Sequence, residues 1–177
     1  MATPEATDSG RTGVRVNVSG RGEANASTGL PVLDHLLSLL ADRAGFDLAI
    51  EVAPDAAESE AAAAGRALGE ALSGPLRVGE PQGYGTASCV AGEALAHVVL
   101  EASEQPLLVS NVDLTGARIG GLESDLISRF LQQLAEGAGL TLHVRLVEGR
   151  DTQHVLEAIF KALGIALAEA CAPRGGS

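Results

Sequence analysis

The chain carries one residue pattern twice, at an offset of about 94 positions. Leu37, Leu40, Ala41, Ala44, Gly45 and Leu48 recur as Leu131, Leu134, Ala135, Ala138, Gly139 and Leu142. With one further residue of offset, Ala67, Leu68, Gly69, Ala71 and Leu72 recur as Ala162, Leu163, Gly164, Ala166 and Leu167. Solenoid repeats run at roughly 20–50 residues, so a spacing this long reads as a duplicated half-domain. Any site built by one half then has a counterpart in the other. Differences between the counterparts can be read within one sequence.

Each half follows the same order of periodicities. Val14 to Val18 alternates as a half-buried strand does, and a turn at Ser19 and Gly20 leads to a second weak strand. Ser27, Thr28 and Gly29 precede Pro31, and proline suits the first turn of a helix running to about Arg43. Phe46 to Val52 reads as a strand. A second helix starts near Asp55 and ends near Leu72, before Gly74 and Pro75. After a stretch rich in Gly and Pro the pattern restarts, with strands at 95–101 and 107–112, a helix at about 122–136, a strand at 140–147 and a helix at about 152–170. The expected domain plan is a tail over 1–10, a first half over 11–75, a linker over 76–85, a second half over 86–172 and a tail over 173–177. The expected class is α+β: two β-β-α-β-α half-domains, the second with room for an extra strand, with helices covering the sheets.

The formal net charge of −11 and an aromatic fraction of 2% oppose a nucleic-acid partner, which needs cations and stacking platforms. No apolar run reaches the roughly 18 residues of a membrane span, and the polar first ten residues do not resemble a secretion signal. Cys89 and Cys171 lie far apart with no metal-clip spacing around them. A cytoplasmic protein without membrane or nucleic-acid partners is the expectation.

The start of the last helix carries the densest chemistry. His154 and Glu157 are three apart and share a helix face, as do Gln153 and Glu157 at four. His154 projects about 100° from Gln153. A pair of histidines followed by glutamate here would offer two imidazoles in divergent directions, an arrangement suited to two metal ions. The equivalent stretch of the second helix holds Glu58, Ser59 and Ala62 instead. Taken alone, His35 reads as a capping or surface histidine, His154 with Glu157 as a surface pair, and Lys161 as a solvated helix residue. His143 reads equally as site lining or core packing, and His97 as structural.

Leu33-Asp34-His35-Leu36, Gly45-Phe46-Asp47-Leu48, the run from Ala138 to Val144 and the run from His154 to Ala162 together resemble imidazoleglycerol-phosphate dehydratase, a histidine-biosynthesis family. The resemblance covers roughly Arg11 to Ala170 and implies a duplicated fold of the ribosomal protein S5 domain 2 type. It implies dehydration of imidazole glycerol phosphate at two manganese ions held by histidines and glutamates shared between subunits. Imidazole is a good ligand for first-row metals, and a cation lowers the cost of an imidazolate. It implies trimers that join into 24-subunit shells. It places His35, His154, Glu157 and Glu58 at metal or catalytic positions, and Arg118 and Lys161 at the substrate phosphate.

The sequence departs from that pattern at the metals. The counterpart of His35 is Arg129, whose guanidinium has no lone pair to donate. The family's His-His-x-x-Glu motif at the second helix is Glu58, Ser59 and Ala62, and its first histidine at the last helix is Gln153. Spacing sorts His35, Ser59, Gln153 and Glu157 into one set and Arg129, Glu58, His154 and Ala62 into the other. A fixed unit charge about 4 Å from a dication costs roughly 8 kcal/mol at an effective dielectric near 20. The departures point to manganese absent or substoichiometric, dehydratase activity impaired or lost, and a structural or regulatory role. The alternatives are a dehydratase or related lyase with an altered metal site, and a metal-free binder of a small phosphorylated ligand.

Overall fold

The computed structural model describes residues 12–113 and 125–175 in full, and 118–119 and 122–123 as backbone. Strands β1 (Gly13–Asn17), β2 (Ala24–Ser27) and β3 (Asp47–Glu51) form one sheet in the order β1-β3-β2. Strands β4 (Tyr84–Ala91), β5 (Ala94–Ala102), β6 (Leu107–Ser110) and β9 (Leu140–Glu148) form a second sheet in the order β4-β5-β9-β6. The short strands β7 (Arg118–Ile119) and β8 (Leu122–Glu123) pair with each other. The helices are α1 (Pro31–Ala44), α2 (Ala57–Ser73), α3 (Asp125–Ala138) and α4 (Thr152–Cys171).

The duplication is visible in the pairing. β1 runs antiparallel to β3 and β2 parallel to it; β5 runs antiparallel to β9 and β6 parallel to it. β4 is the additional strand of the second half, antiparallel to β5. It lies outside the strands expected from periodicity. Its residues Gly85, Thr86, Ala87 and Ser88 look like loop, yet the absence of a side chain at Gly85 lets β4 lie against the Ala166 carbonyl of α4. Helix α3 begins at Asp125 rather than near Leu122, because Leu122 and Glu123 belong to β8.

Helices α1 and α2 lie on the first sheet, and α3 and α4 on the second. The two helix layers then face each other, α1 on α4 and α2 on α3, giving the order sheet, helices, helices, sheet. The core runs through both helix layers to the inner faces of the sheets, with Leu33, Leu36, Leu37 and Leu40 of α1, Leu68 and Leu72 of α2, Ile50 of β3, Val98 of β5 and Leu142 of β9 buried. Phe130 of α3 and Phe160 of α4 stack at 5.7 Å between ring centroids. Among the described residues no helix is long and apolar enough to cross a membrane, and Cys89 and Cys171 are free thiols.

Glycines set how closely the layers approach. A Cβ on Gly69 of α2 would lie 2.6 Å from the Leu134 carbonyl of α3. A Cβ on Gly164 of α4 would collide with the Leu40 carbonyl of α1. Gly69 and Gly164 are counterparts in the repeat, and so are Leu134 and Leu40. Gly45 and Gly139, also counterparts, both follow their helices with left-handed φ of 72° and 70°, where a side chain would be strained. Arg77, in the connection between halves, donates to the carbonyls of Ala138 and Gly139, both at 2.8 Å, and so caps α3.

Two outcomes follow from these contacts. Gly164→Ala should lower stability by about 1–3 kcal/mol, since the opposing atoms are backbone and cannot yield. Gly74→Ala, where an added Cβ meets nothing within 4 Å, should be near neutral; urea midpoints compare them. Asp47 accepts from the backbone N–H groups of Arg21 (2.9 Å) and Glu23 (3.2 Å), which hold its carboxyl below the usual range. Its contribution is therefore present above about pH 4 and is lost as pH falls through the depressed value. Asp47→Asn should flatten the acid limb of a stability-versus-pH curve, and an unchanged limb would contradict the assignment.

Candidate functional site

The α1–α4 contact gathers the polar site. Asp34, in the first turn of α1, accepts from the backbone N–H of Thr28 at 2.9 Å and also from its hydroxyl. This anchors the helix start and aims the next side chain, His35, toward α4. At the start of α4, Asp151 caps the helix by accepting from the His154 backbone N–H at 3.1 Å. The two helix starts thus fix both sides of the site.

His35 Nε2–H donates to Glu157 Oε2 at 3.0 Å, across 122 residues of sequence. Gln153 Nε2 donates to the same oxygen at 3.3 Å. Burial alone would raise the Glu157 carboxyl, whose side chain is 19% exposed. The hydrogen bonds from His35 and Gln153, with the charges of His35 and Lys161, outweigh it, and the carboxyl lies below its ordinary range. One turn from Glu157, Lys161 Nζ donates to the Val90 carbonyl of β4 at 3.3 Å.

His154 lies beside this group and has a separate partner. Its Nδ1 is 2.7 Å from Glu93 Oε1, at the tip of the β4–β5 hairpin. That hydrogen bond raises the pKa of the imidazole above its ordinary value against a small opposing effect of burial, and Asp151 adds to the rise. Sequence reasoning missed Glu93. The signal available was a Gly-Glu pair between two alternating apolar runs, a two-residue hairpin.

The counterpart site lies between α2 and α3. The repeat carries His35 to Arg129, and Gln153, His154 and Glu157 to Glu58, Ser59 and Ala62. Arg129 and Glu58 do meet, with Nη2 3.9 Å from Oε2 and side chains 53% and 68% exposed. The structure therefore joins His35, Gln153 and Glu157 in one half-site and Arg129 with Glu58 in the other. Among the described residues no three His, Cys, Asp or Glu side chains converge as a metal cage. His97 and His143 lie on the sheet face turned away from the helices, where Ser88 Oγ is 2.7 Å from His97 Nδ1. Arg118 lies in β7, and its side chain is outside the described residues.

The fold and the helix-start site define a duplicated α+β protein with one histidine–carboxylate half-site at the seam between its halves. A family model for imidazoleglycerol-phosphate dehydratase matches residues 28–167, and the chain belongs to that family. It is 36% identical over 167 residues to the imidazoleglycerol-phosphate dehydratase of Pelobacter propionicus, covering 91% of this chain and 85% of that protein. It is 37% identical over 164 residues to the chloroplastic enzyme of Pisum sativum, with 89% of this chain covered but only 57% of the pea protein's length. The imidazoleglycerol-phosphate dehydratase of Staphylococcus aureus superposes with a TM-score of 0.85 at 28% identity, covering 94% of this chain and 96% of that one. The Pyrococcus furiosus structure, in complex with (S)-C348, gives 0.82 at 27% identity, covering 99% and 94%.

The two half-sites should differ energetically. A double-mutant cycle on His35 and Glu157 should give a coupling of about 0.5–1 kcal/mol, and one on Arg129 and Glu58 a coupling near zero, as expected for an exposed pair at long distance. Equal couplings by chemical denaturation would show that the two sites have not diverged in strength.

Proposed function

We propose that this chain is a divergent dehydratase homologue in which the imidazoleglycerol-phosphate reaction is impaired or lost, and which acts as a structural or regulatory member of the family. The observation that carries this reading is the Arg129–Glu58 pair standing where the repeat of His35 and Gln153 would fall, with Ala62 in the place of Glu157. A pair of manganese ions needs several imidazole and carboxylate donors at each half-site. The second set offers His154 and one carboxylate, Glu58, beside a guanidinium that cannot donate and that repels a cation. The first offers His35 and Glu157, with Gln153 where an imidazole would stand. The donor set does not fit two ions. Manganese is accordingly absent or substoichiometric.

The surviving His35–Glu157 contact and His154 favour a second reading, a lyase of low activity with an altered metal site. A metal-free binder of a small phosphorylated ligand would use Arg118 and Lys161; the bond from Lys161 to the Val90 carbonyl ties that amine to β4 and weakens this reading. Self-association is part of the proposal. Tyr84, Val90, Leu107, Val109 and Val147 are exposed on the outer face of the second sheet, and they are the apolar groups that a partner subunit on that face would cover. Trimers are the proposed unit, with the 24-subunit shell dependent on metal ligands that this chain lacks. Residence in the cytoplasm follows the reading of a biosynthetic family member.

Expression in a strain lacking the dehydratase should fail to restore growth without histidine. Protein grown with manganese should contain well under two ions per chain by elemental analysis. The combined substitution Glu58→His, Ser59→His, Ala62→Glu, Arg129→His and Gln153→His should raise that content. Growth rescue by the unaltered chain, or two tightly held ions in it, would overturn the reading.

A further inference from the structure

The tip of the β4–β5 hairpin is built against the first turn of α4. Ala91 and Ala94 pair across a two-residue turn made by Gly92 and Glu93. Gly92 has φ +56°, and a Cβ on it would lie 2.6 Å from His154 Nδ1. The hairpin backbone therefore reaches the imidazole with no side chain between, and Glu93 follows directly. Its Oε1 lies 2.7 Å from Nδ1. Asp151 holds the backbone N–H of His154 at 3.1 Å, but its carboxylate is 4.0 Å from Nδ1. The hydrogen-bond partner of the ring is thus Glu93, and the helix cap serves the backbone.

A carboxylate can only accept, so Nδ1 carries the hydrogen. In the neutral ring the lone pair is then left on Nε2. Such a carboxylate–imidazole contact fixes both tautomer and ring orientation wherever an imidazole must offer an electron pair. The side chain of His154 is 42% exposed, so the ring is open to a ligand.

We propose that Glu93 is a positioning residue: it holds His154 as the Nδ1–H tautomer and so presents Nε2 as a preset electron-pair donor at the start of α4, toward an N–H or O–H group of a small ligand. This rests on the reading of the α4 start as the functional site. It does not depend on whether dehydratase activity survives. The close approach of Gly92 to the ring, which a chance surface ion pair does not need, supports a built arrangement; its positive φ belongs to the two-residue turn.

The test is two-bond nitrogen–proton correlation spectroscopy on the full 15N-labelled chain, at a pH where the ring is neutral, with the His154 signals assigned by His154→Gln. The unsubstituted chain should show Nδ1 protonated and Nε2 bare. Glu93→Ala should shift the balance to the Nε2–H form that free histidine prefers, and Glu93→Asp should recover part of the original pattern. A predominantly Nε2–H ring in the unsubstituted chain would overturn the proposal without reference to any variant. So would a pattern unaltered by Glu93→Ala. Growth complementation reads a different property, so failure of the functional reading and failure of this one are distinguishable.

Discussion

The close approach of the two helix layers is the constraint on which the rest of the molecule depends. Each layer belongs to one half of the chain, and each crossing is closed by a glycine set against a backbone carbonyl: Gly69 on Leu134, Gly164 on Leu40. Backbone against backbone leaves no slack for adjustment, and packed interiors feel a change of even one methylene. The α1–α4 crossing in turn fixes where His35 meets Glu157, two turns of α4 before Gly164. The polar site inherits its geometry from an apolar contact.

The same repeat that keeps the core symmetric leaves the polar sites unlike. Leu40 and Leu134, Gly69 and Gly164, and Gly45 and Gly139 hold equivalent places in both halves. His35 and Arg129, or Glu157 and Ala62, do not share their chemistry. The difference tracks burial. A buried helix crossing tolerates few residue types, whereas Arg129 and Glu58 sit in solvent, where exchange costs the fold little. Structural likeness to the dehydratases thus rests on the part of the chain least able to change.

Much of this was legible in the residues themselves. The duplication and the four helices followed from spacing and periodicity, and the α+β class from their order. What escaped depended on tertiary contact. β4 reads as loop because Gly85 and Ala87 are poor strand signals; it is a strand because β5 pairs with it and α4 covers it. Nothing in the sequence singles out Arg77 within its Gly- and Pro-rich connection; its role comes from the carbonyls of Ala138 and Gly139 beside it. His35, Gln153 and Glu157 fall in one set in the sequence reading, through the family resemblance rather than through local spacing, and their side chains meet although His35 and Glu157 are 122 residues apart. Glu93 escaped because its contact with His154 is made across 61 residues and no motif marks it.

The inward-facing helices have a consequence for how such a chain could arise. Either half alone would carry one sheet and two helices whose outer faces, rich in leucine and alanine, stand bare. A second identical half would cover them, the α1–α4 and α2–α3 contacts then being one contact made twice about a two-fold axis, as an isologous interface requires. What is now the interior of one polypeptide has the geometry of a former boundary between two. Fusion of two such halves would make the copies inseparable and leave each free to carry its own surface chemistry.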